Sequence, residues 1–159
     1  MISNEQAEFL LTIPKFVVEN DKKIDPLIII QPNVWRTRYS LMGESNGDIF
    51  EFMLEIWQGV KNRLKMSLHF QEDETKIGLF RVDYWSGHSN PQTISDKVPV
   101  KFHPFVGKHF VISEHHVHYH IEGYPTLAWA LPIEQDNFPY KETSNTNIPD
   151  KSRVFCSNH

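Results

Sequence analysis

A chain of 159 residues, 40% hydrophobic and 13% aromatic, is long enough for one domain with a substantial core and too aromatic for a disordered chain. Its net charge of -4 argues against a non-specific nucleic-acid coat, which usually needs a basic excess, although a locally basic cleft stays open and nine histidines add charge as pH falls. The single cysteine, Cys156, rules out an internal disulfide framework and a Cys-based zinc site, no apolar run is long enough to span a membrane, and Met1-Ile2-Ser3-Asn4-Glu5-Gln6 lacks the basic start of a signal peptide, so a cytoplasmic location is expected.

In chain order, Ser3 and Gln6 have capping-box spacing, and Ala7, Leu10 and Leu11 follow at helical spacing, which predicts a short amphipathic helix over about residues 4–13 that Pro14 ends or bends. Residues 19–26 are charged and turn-like. The middle is β-patterned. Residues 34–42 alternate Trp35, Thr37, Tyr39 and Leu41 against Arg36, Arg38 and Ser40, and the turn-forming run 43–48 follows. Phe50, Phe52, Leu54 and Ile56 then alternate with Glu51, Met53 and Glu55. Residues 64–71 set Leu64, Met66, Leu68 and Phe70 against Lys65, Ser67, His69 and Gln71. Residues 76–84 set Phe80, Val82 and Tyr84 against Leu79, Arg81 and Asp83. If the last two pair as a hairpin, both apolar sets must fall on one face. Even positions then pair with even ones through an odd-length connection such as 73–75, which places Ser67 near Arg81 and Lys65 near Asp83.

The stretch 85–108 reads as a long loop, of the kind that is functional or mobile in compact domains. The fifth strand is His116-Val117-His118-Tyr119-His120. Alternation sends its three imidazoles to one face and Val117, Tyr119 and Ile121 to the other. Trp129-Ala130-Leu131-Pro132 reads as core packing. From Glu134 the chain turns polar, and residues 141–159 read as a loosely held tail behind a single domain over 1–140.

The chemistry-bearing pattern is Arg81-x-Asp83, His88-x-Asn90-Pro91, His116-x-His118-x-x-x-Glu122-Gly123-Tyr124 and Trp129-Ala130-x-Pro132. It resembles a family of small bacterial and phage proteins without assigned activity, whose motifs run R-x-D, H-x-N-P, H-x-H-x-x-x-E-G-Y and W-A-x-P in this order. The match spans roughly residues 76–133. In that pattern the place of His120 more often holds an aromatic residue. The shorter skeleton of Arg81, Asp83, His88 and His116-x-His118 is also similar to the TumE-type toxins of toxin–antitoxin pairs. That resemblance implies a small cytoplasmic toxin, acting as a ribonuclease and held by a protein antitoxin.

The residues themselves admit several chemistries. Arg81 can grip a phosphate through two N–H groups and Asp83 can fix a histidine tautomer, though the same pair would also serve as an ion pair on a solvated strand. His116 and His118 can act as general base and acid in metal-free RNA cleavage, with Arg81 stabilising the phosphorane and His88 as an accessory. With Asp83 or His88 they could instead bind a divalent metal, or they could form a hydrogen-bonded polar layer. His116-x-His118-x-x-x-Glu122 echoes cupin spacing, but the rest of that motif is missing. Trp85 is a stacking candidate, Arg36 and Arg38 could extend a phosphate track, and Asn90, Glu122 and Tyr124 complete the candidate substrate-binding set.

The expected protein is therefore α+β: a twisted, mainly antiparallel sheet of about five strands with the N-terminal helix on its apolar face. The leading functional expectation is a toxin-like, metal-independent endoribonuclease of a toxin–antitoxin or phage-associated locus. It would use Arg81, Asp83, His88, His116 and His118, need no metal or cofactor, have RNA as substrate and an antitoxin as partner, and tolerate homodimer formation. A non-enzymatic phage or plasmid inhibitor of a nucleic-acid-binding host defence protein is the alternative, since net acidity suits a basic target. A divalent-metal hydrolase is the third.

Overall fold

The computed structural model describes residues 2–20, 22–24, 36–125 and 127–143. The expected helix is α1 (Asn4–Thr12), and its start is the capping box: Ser3 accepts from the Gln6 backbone and Gln6 reaches back to the Ser3 N–H. At its other end the buried Lys15 ammonium donates to the Leu11 carbonyl at 3.1 Å and lies over the rings of Phe52 and Phe70. A cation there satisfies an orphan carbonyl and complements the helix dipole.

Ten strands follow among the described residues: β1 (Phe16–Glu19), β2 (Lys22–Ile24), β3 (Arg36–Ser45), β4 (Asp48–Gln58), β5 (Met66–Glu72), β6 (Ile77–Tyr84), β7 (His88–Ser89), β8 (His109–Phe110), β9 (His116–Tyr119) and β10 (Ala130–Pro132). Eight of them form one antiparallel sheet in the order β10-β9-β6-β5-β4-β3-β1-β2, and β7 and β8 form a small ribbon. The five expected strands are its centre. The count differs because β1, β2 and β10 are only three or four residues long, too short for alternation to register.

The β3–β4 hairpin closes through Asn46–Gly47, both at positive φ (51° and 83°), the two-residue turn whose twist matches its strands. Residues 43–45, expected in the turn, belong to β3. The β5–β6 hairpin corrects the expected register. Ser67 lies opposite Asp83 and His69 opposite Arg81, two residues from the expected pairing. The connection between Glu72 and Ile77 has an even length, which alone would put the apolar sets on opposite faces. A bulge between the Phe70–Phe80 and Gln71–Gly78 pairs inserts Leu79 and restores parity.

With parity restored, Tyr39, Leu41, Phe52, Leu54, Ile56, Met66, Leu68, Phe70, Phe80, Val82, Tyr84 and Val117 share the buried apolar face. Ala7 and Leu10 of α1 cover part of it, as expected. Phe102, on a 3-10 turn (Val100–Phe105), packs on Tyr119 and Trp129 there, which makes Trp129 core. The 85–108 stretch is thus ordered, and it wraps the β10 edge. Lys141 and Thr143 hydrogen-bond to Ile133 and Leu64, and residues 144–159 of the expected tail lie outside the described residues, as do Val34 and Trp35. No helix among the described residues is long and apolar enough to cross a membrane.

Gly43 sits where a Cβ would lie 2.6 Å from Ile13 Cγ2 and 2.8 Å from the Pro14 carbonyl oxygen. Gly43→Ala is expected to destabilise by about 1–3 kcal/mol by forcing α1 off the sheet. Urea denaturation checks this, and an unchanged midpoint would contradict the packing.

Candidate functional site: a basic cleft backed by buried histidines

The ladder aligns the polar face into two rows. One runs Arg36, Trp57, Ser67, Asp83, His116 across β3, β4, β5, β6 and β9. The other runs Arg38, Glu55, His69, Arg81, His118. Neighbours in a row stand one strand spacing apart, roughly 4.8 Å. At the β3–β6 end the rows are open and line a cleft of about 630 Å³, with Lys65 and Gln71 at its margins. At the β9 end the β7–β8 ribbon lies over them, and Phe110 packs on His116 with ring centroids 4.9 Å apart.

The five residues expected to carry chemistry do converge. Asp83 is their centre. Its Oδ1 accepts from Ser67 Oγ at 2.6 Å and from Arg81 Nε at 2.9 Å, while its Oδ2 lies 3.1 Å from His118 Nε2 and 3.7 Å from His116 Nε2. Arg81 Nη2 also donates to Ser67 Oγ at 3.1 Å. Burial alone would raise the Asp83 pKa, but the His118 hydrogen bond, the Arg81 charge and the Ser67 hydroxyl hold it far below the ordinary carboxylate range. His116 donates from Nδ1 to the Glu114 carbonyl at 2.9 Å, and burial pushes its pKa down to about 4. The His88 ring stands edge-on to His118 (4.6 Å) and roughly parallel to His116 (5.6 Å), with Nε2 donating to Asn90 Oδ1 and the Ala128 carbonyl.

Convergence does not mean access. His116 is 0% exposed, His118 2% and Asp83 5%. Of these five only Arg81, with a third of its side chain exposed, also lines the cleft, beside its partner Ser67.

The remaining candidates divide. Arg36 and Arg38 line the cleft and share the Glu55 carboxylate. Asn90 is buried and structural: it donates to the carbonyls of Phe105 and Ala130 and accepts from the Ala130 N–H, so one amide covers the β10 edge as a strand would. Trp85 packs against His115 and lines a different pocket. Glu122 faces Lys97, Tyr124 hydrogen-bonds to Ser95, and neither lines the cleft. His120 Nε2 donates to the Ile2 carbonyl and ties down the N-terminus.

Sequence reasoning missed Trp57, Glu55 and His69 as cleft residues. The signal was the parity of Trp57 with Met53 and Glu55, which sends the indole to the polar face. His69, held by Gln71 at 3.1 Å, has its pKa lowered by burial.

A model of a family of unknown function (DUF6978) matches residues 2–158. No curated protein and no solved structure matches the chain.

The His116 shift makes stability pH-dependent. In the unfolded chain this group titrates near 6.5 and in the folded chain near 4, so between those values the unfolded state holds more protons and stability rises with pH. The contribution, on the order of 3 kcal/mol, is complete above pH 6.5 and is lost as pH falls to about 4. Urea midpoints should drop over that window, and His116→Gln should shrink the drop. A pH-independent midpoint would show that His116 titrates normally.

Proposed function

The chain belongs to the DUF6978 family of unknown function, and from its cleft we propose that it binds single-stranded RNA through the sheet's polar face. One observation carries this reading. A chain of net charge -4 gathers Arg36, Arg38, Lys65 and Arg81 around a cleft where, among the described residues, Glu55 is the only lining carboxylate. Such local excess in an acidic protein suits a polyanion better than a basic protein target, so it favours RNA over the inhibitor reading.

The cleft has the parts that single-strand recognition needs. Trp57 offers a half-buried indole beside the cations, with Lys65 Nζ 5.9 Å from its ring centroid. Bases stack on such a ring regardless of sequence, while guanidinium groups track the phosphates. Arg81 is the firmest of these grips. Two of its N–H groups are fixed on Asp83 and Ser67, which orients the planar head and lowers the entropy lost on binding a phosphate.

The substrate class is the one implied by the likeness to TumE-type toxins. The buried positions of His116 and His118 argue against their use as an acid–base pair on that substrate, because general acid–base catalysis requires hydrogen-bond reach. The proposal therefore assigns RNA contact to Arg36, Arg38, Trp57, Lys65 and Arg81.

Fluorescence anisotropy with a labelled oligoribonucleotide, repeated over a salt series, tests this. Four cation–phosphate contacts predict a log–log salt slope of about -3. Arg38→Ala with Lys65→Ala should weaken binding about tenfold or more and flatten the slope by roughly 1.4. Glu55→Gln should tighten binding, since it frees Arg36 and Arg38 from their shared carboxylate. Absence of salt-sensitive binding by the wild type rejects the proposal. RNA cleavage lost in His118→Ala would reinstate the acid–base mechanism.

A further inference from the structure

We infer that Asp83, His116 and His118 form a binding site for one transition-metal dication of the zinc type. The inference is independent of what the cleft binds.

It starts from an unresolved polarity in the buried cluster. His116 Nδ1 lies 2.9 Å from a backbone carbonyl, which can only accept, so Nδ1 carries the proton and Nε2 presents a lone pair. That lone pair has no hydrogen-bond partner, and it faces Asp83 Oδ2 at 3.7 Å. Among the described residues no donor reaches that lone pair, and Asp83 Oδ2, which already takes the His118 Nε2 contact at 3.1 Å, cannot supply one. Burying a polar atom unpaired is costly, and a cation held by His116 Nε2, Asp83 Oδ2 and His118 Nε2, with the His118 proton moved to Nδ1, would satisfy it.

The donor set fits a particular kind of cation. One ligand atom from each of Asp83, His116 and His118 can be chosen so that all lie within 4.8 Å of one another. For bonds of about 2.0–2.1 Å, the edges of a tetrahedral site are roughly 3.3 Å long. The contacts of 3.1 and 3.7 Å from Asp83 Oδ2 to the two Nε2 atoms bracket that length. Two imidazoles and one carboxylate suit zinc, cobalt, nickel or iron rather than magnesium or calcium, which want oxygen ligands.

The surroundings are those of metal ligands as well. A ligating histidine ordinarily donates its other ring N–H to a carbonyl, as His116 does to Glu114. A ligating carboxylate ordinarily has its free oxygen held, as Ser67 and Arg81 hold Asp83 Oδ1. The His88 ring closes over both imidazoles, so the site is shielded from bulk water. A metal here would bolt β6 to β9, and through Asp83 it would fix Arg81 at the cleft.

Full-length protein purified without a histidine tag and stripped with chelator is titrated with zinc by calorimetry, and a cobalt(II)-loaded sample is read by visible absorption. Expected are one zinc per chain, a higher Tm with zinc, and the intense ligand-field bands of a low-symmetry four- or five-coordinate cobalt. Ser67→Ala should fold normally and weaken zinc binding about 10-fold to 100-fold by releasing Asp83. His116→Gln should abolish binding, whereas His109→Gln, outside the cluster, should not. Failure of the wild type to bind zinc stoichiometrically, or binding that survives both Ser67→Ala and His116→Gln unchanged, overturns the inference. If His116→Gln does not fold, the wild-type cobalt spectrum and Ser67→Ala decide it alone. Loss of RNA binding in the cleft variants would leave this result unaffected.

Discussion

One carboxylate organises the polar half of this protein. Taking an ionised Asp83 out of water costs several kcal/mol, and Ser67, Arg81 and His118 offset that cost by converging on its two oxygens. These partners come from three adjacent strands, so the interaction also fixes the relative register of β5, β6 and β9. A slip of β5 by two residues would keep the apolar face intact and take the Ser67 hydroxyl away from the carboxylate. The hydrophobic face selects parity, and Asp83 selects among the registers that share it.

The same residue separates two environments on one sheet face. Towards β3 the rows of side chains open into a cleft where cations outnumber carboxylates. Towards β9 they close beneath the β7–β8 ribbon, and imidazoles replace the exposed charges. Arg81 stands on the boundary, with one edge of its guanidinium committed inward and the rest available to the cleft. Changes in the buried cluster therefore reach the cleft through Arg81 and Ser67, the Asp83 partners that line it. The histidines thereby shape the cleft surface without lining it.

Much of this was legible in the sequence because strand alternation is a strict two-state code. His116 and His118 share a face with the guanidinium at 81, as alternation expects, whereas His120, expected beside them, lies past the end of β9 and turns to the Ile2 carbonyl on the α1 side. What alternation cannot convey is register and cover. The even-length turn after Glu72 and the compensating bulge at Leu79 differ from the expected odd turn by two residues, yet produce the same pattern of faces. Nor could spacing reveal that Asn90, read as a ligand contact, uses its amide to cover an edge strand forty residues away. The burial of His116 and His118 depends on that wrapped loop, so the change from an open catalytic pair to an enclosed cluster was invisible locally. Trp57 was overlooked for a simpler reason: at the end of an apolar-looking run, its parity counted for less than its hydrophobicity.

The central claim is that ligand meets the open end of the polar face and not its buried end. Side-chain NMR, titrating a short single-stranded oligoribonucleotide and following the indole Nε1–H, arginine Nε–H and imidazole signals together, tests this most directly. The account predicts shifts for Trp57, Arg36, Arg38 and Arg81, with the indoles of Trp85 and Trp129 and the ring signals of His116 left in place. Shifts centred on His116, His118 and Trp85, with Trp57 unmoved, would contradict it.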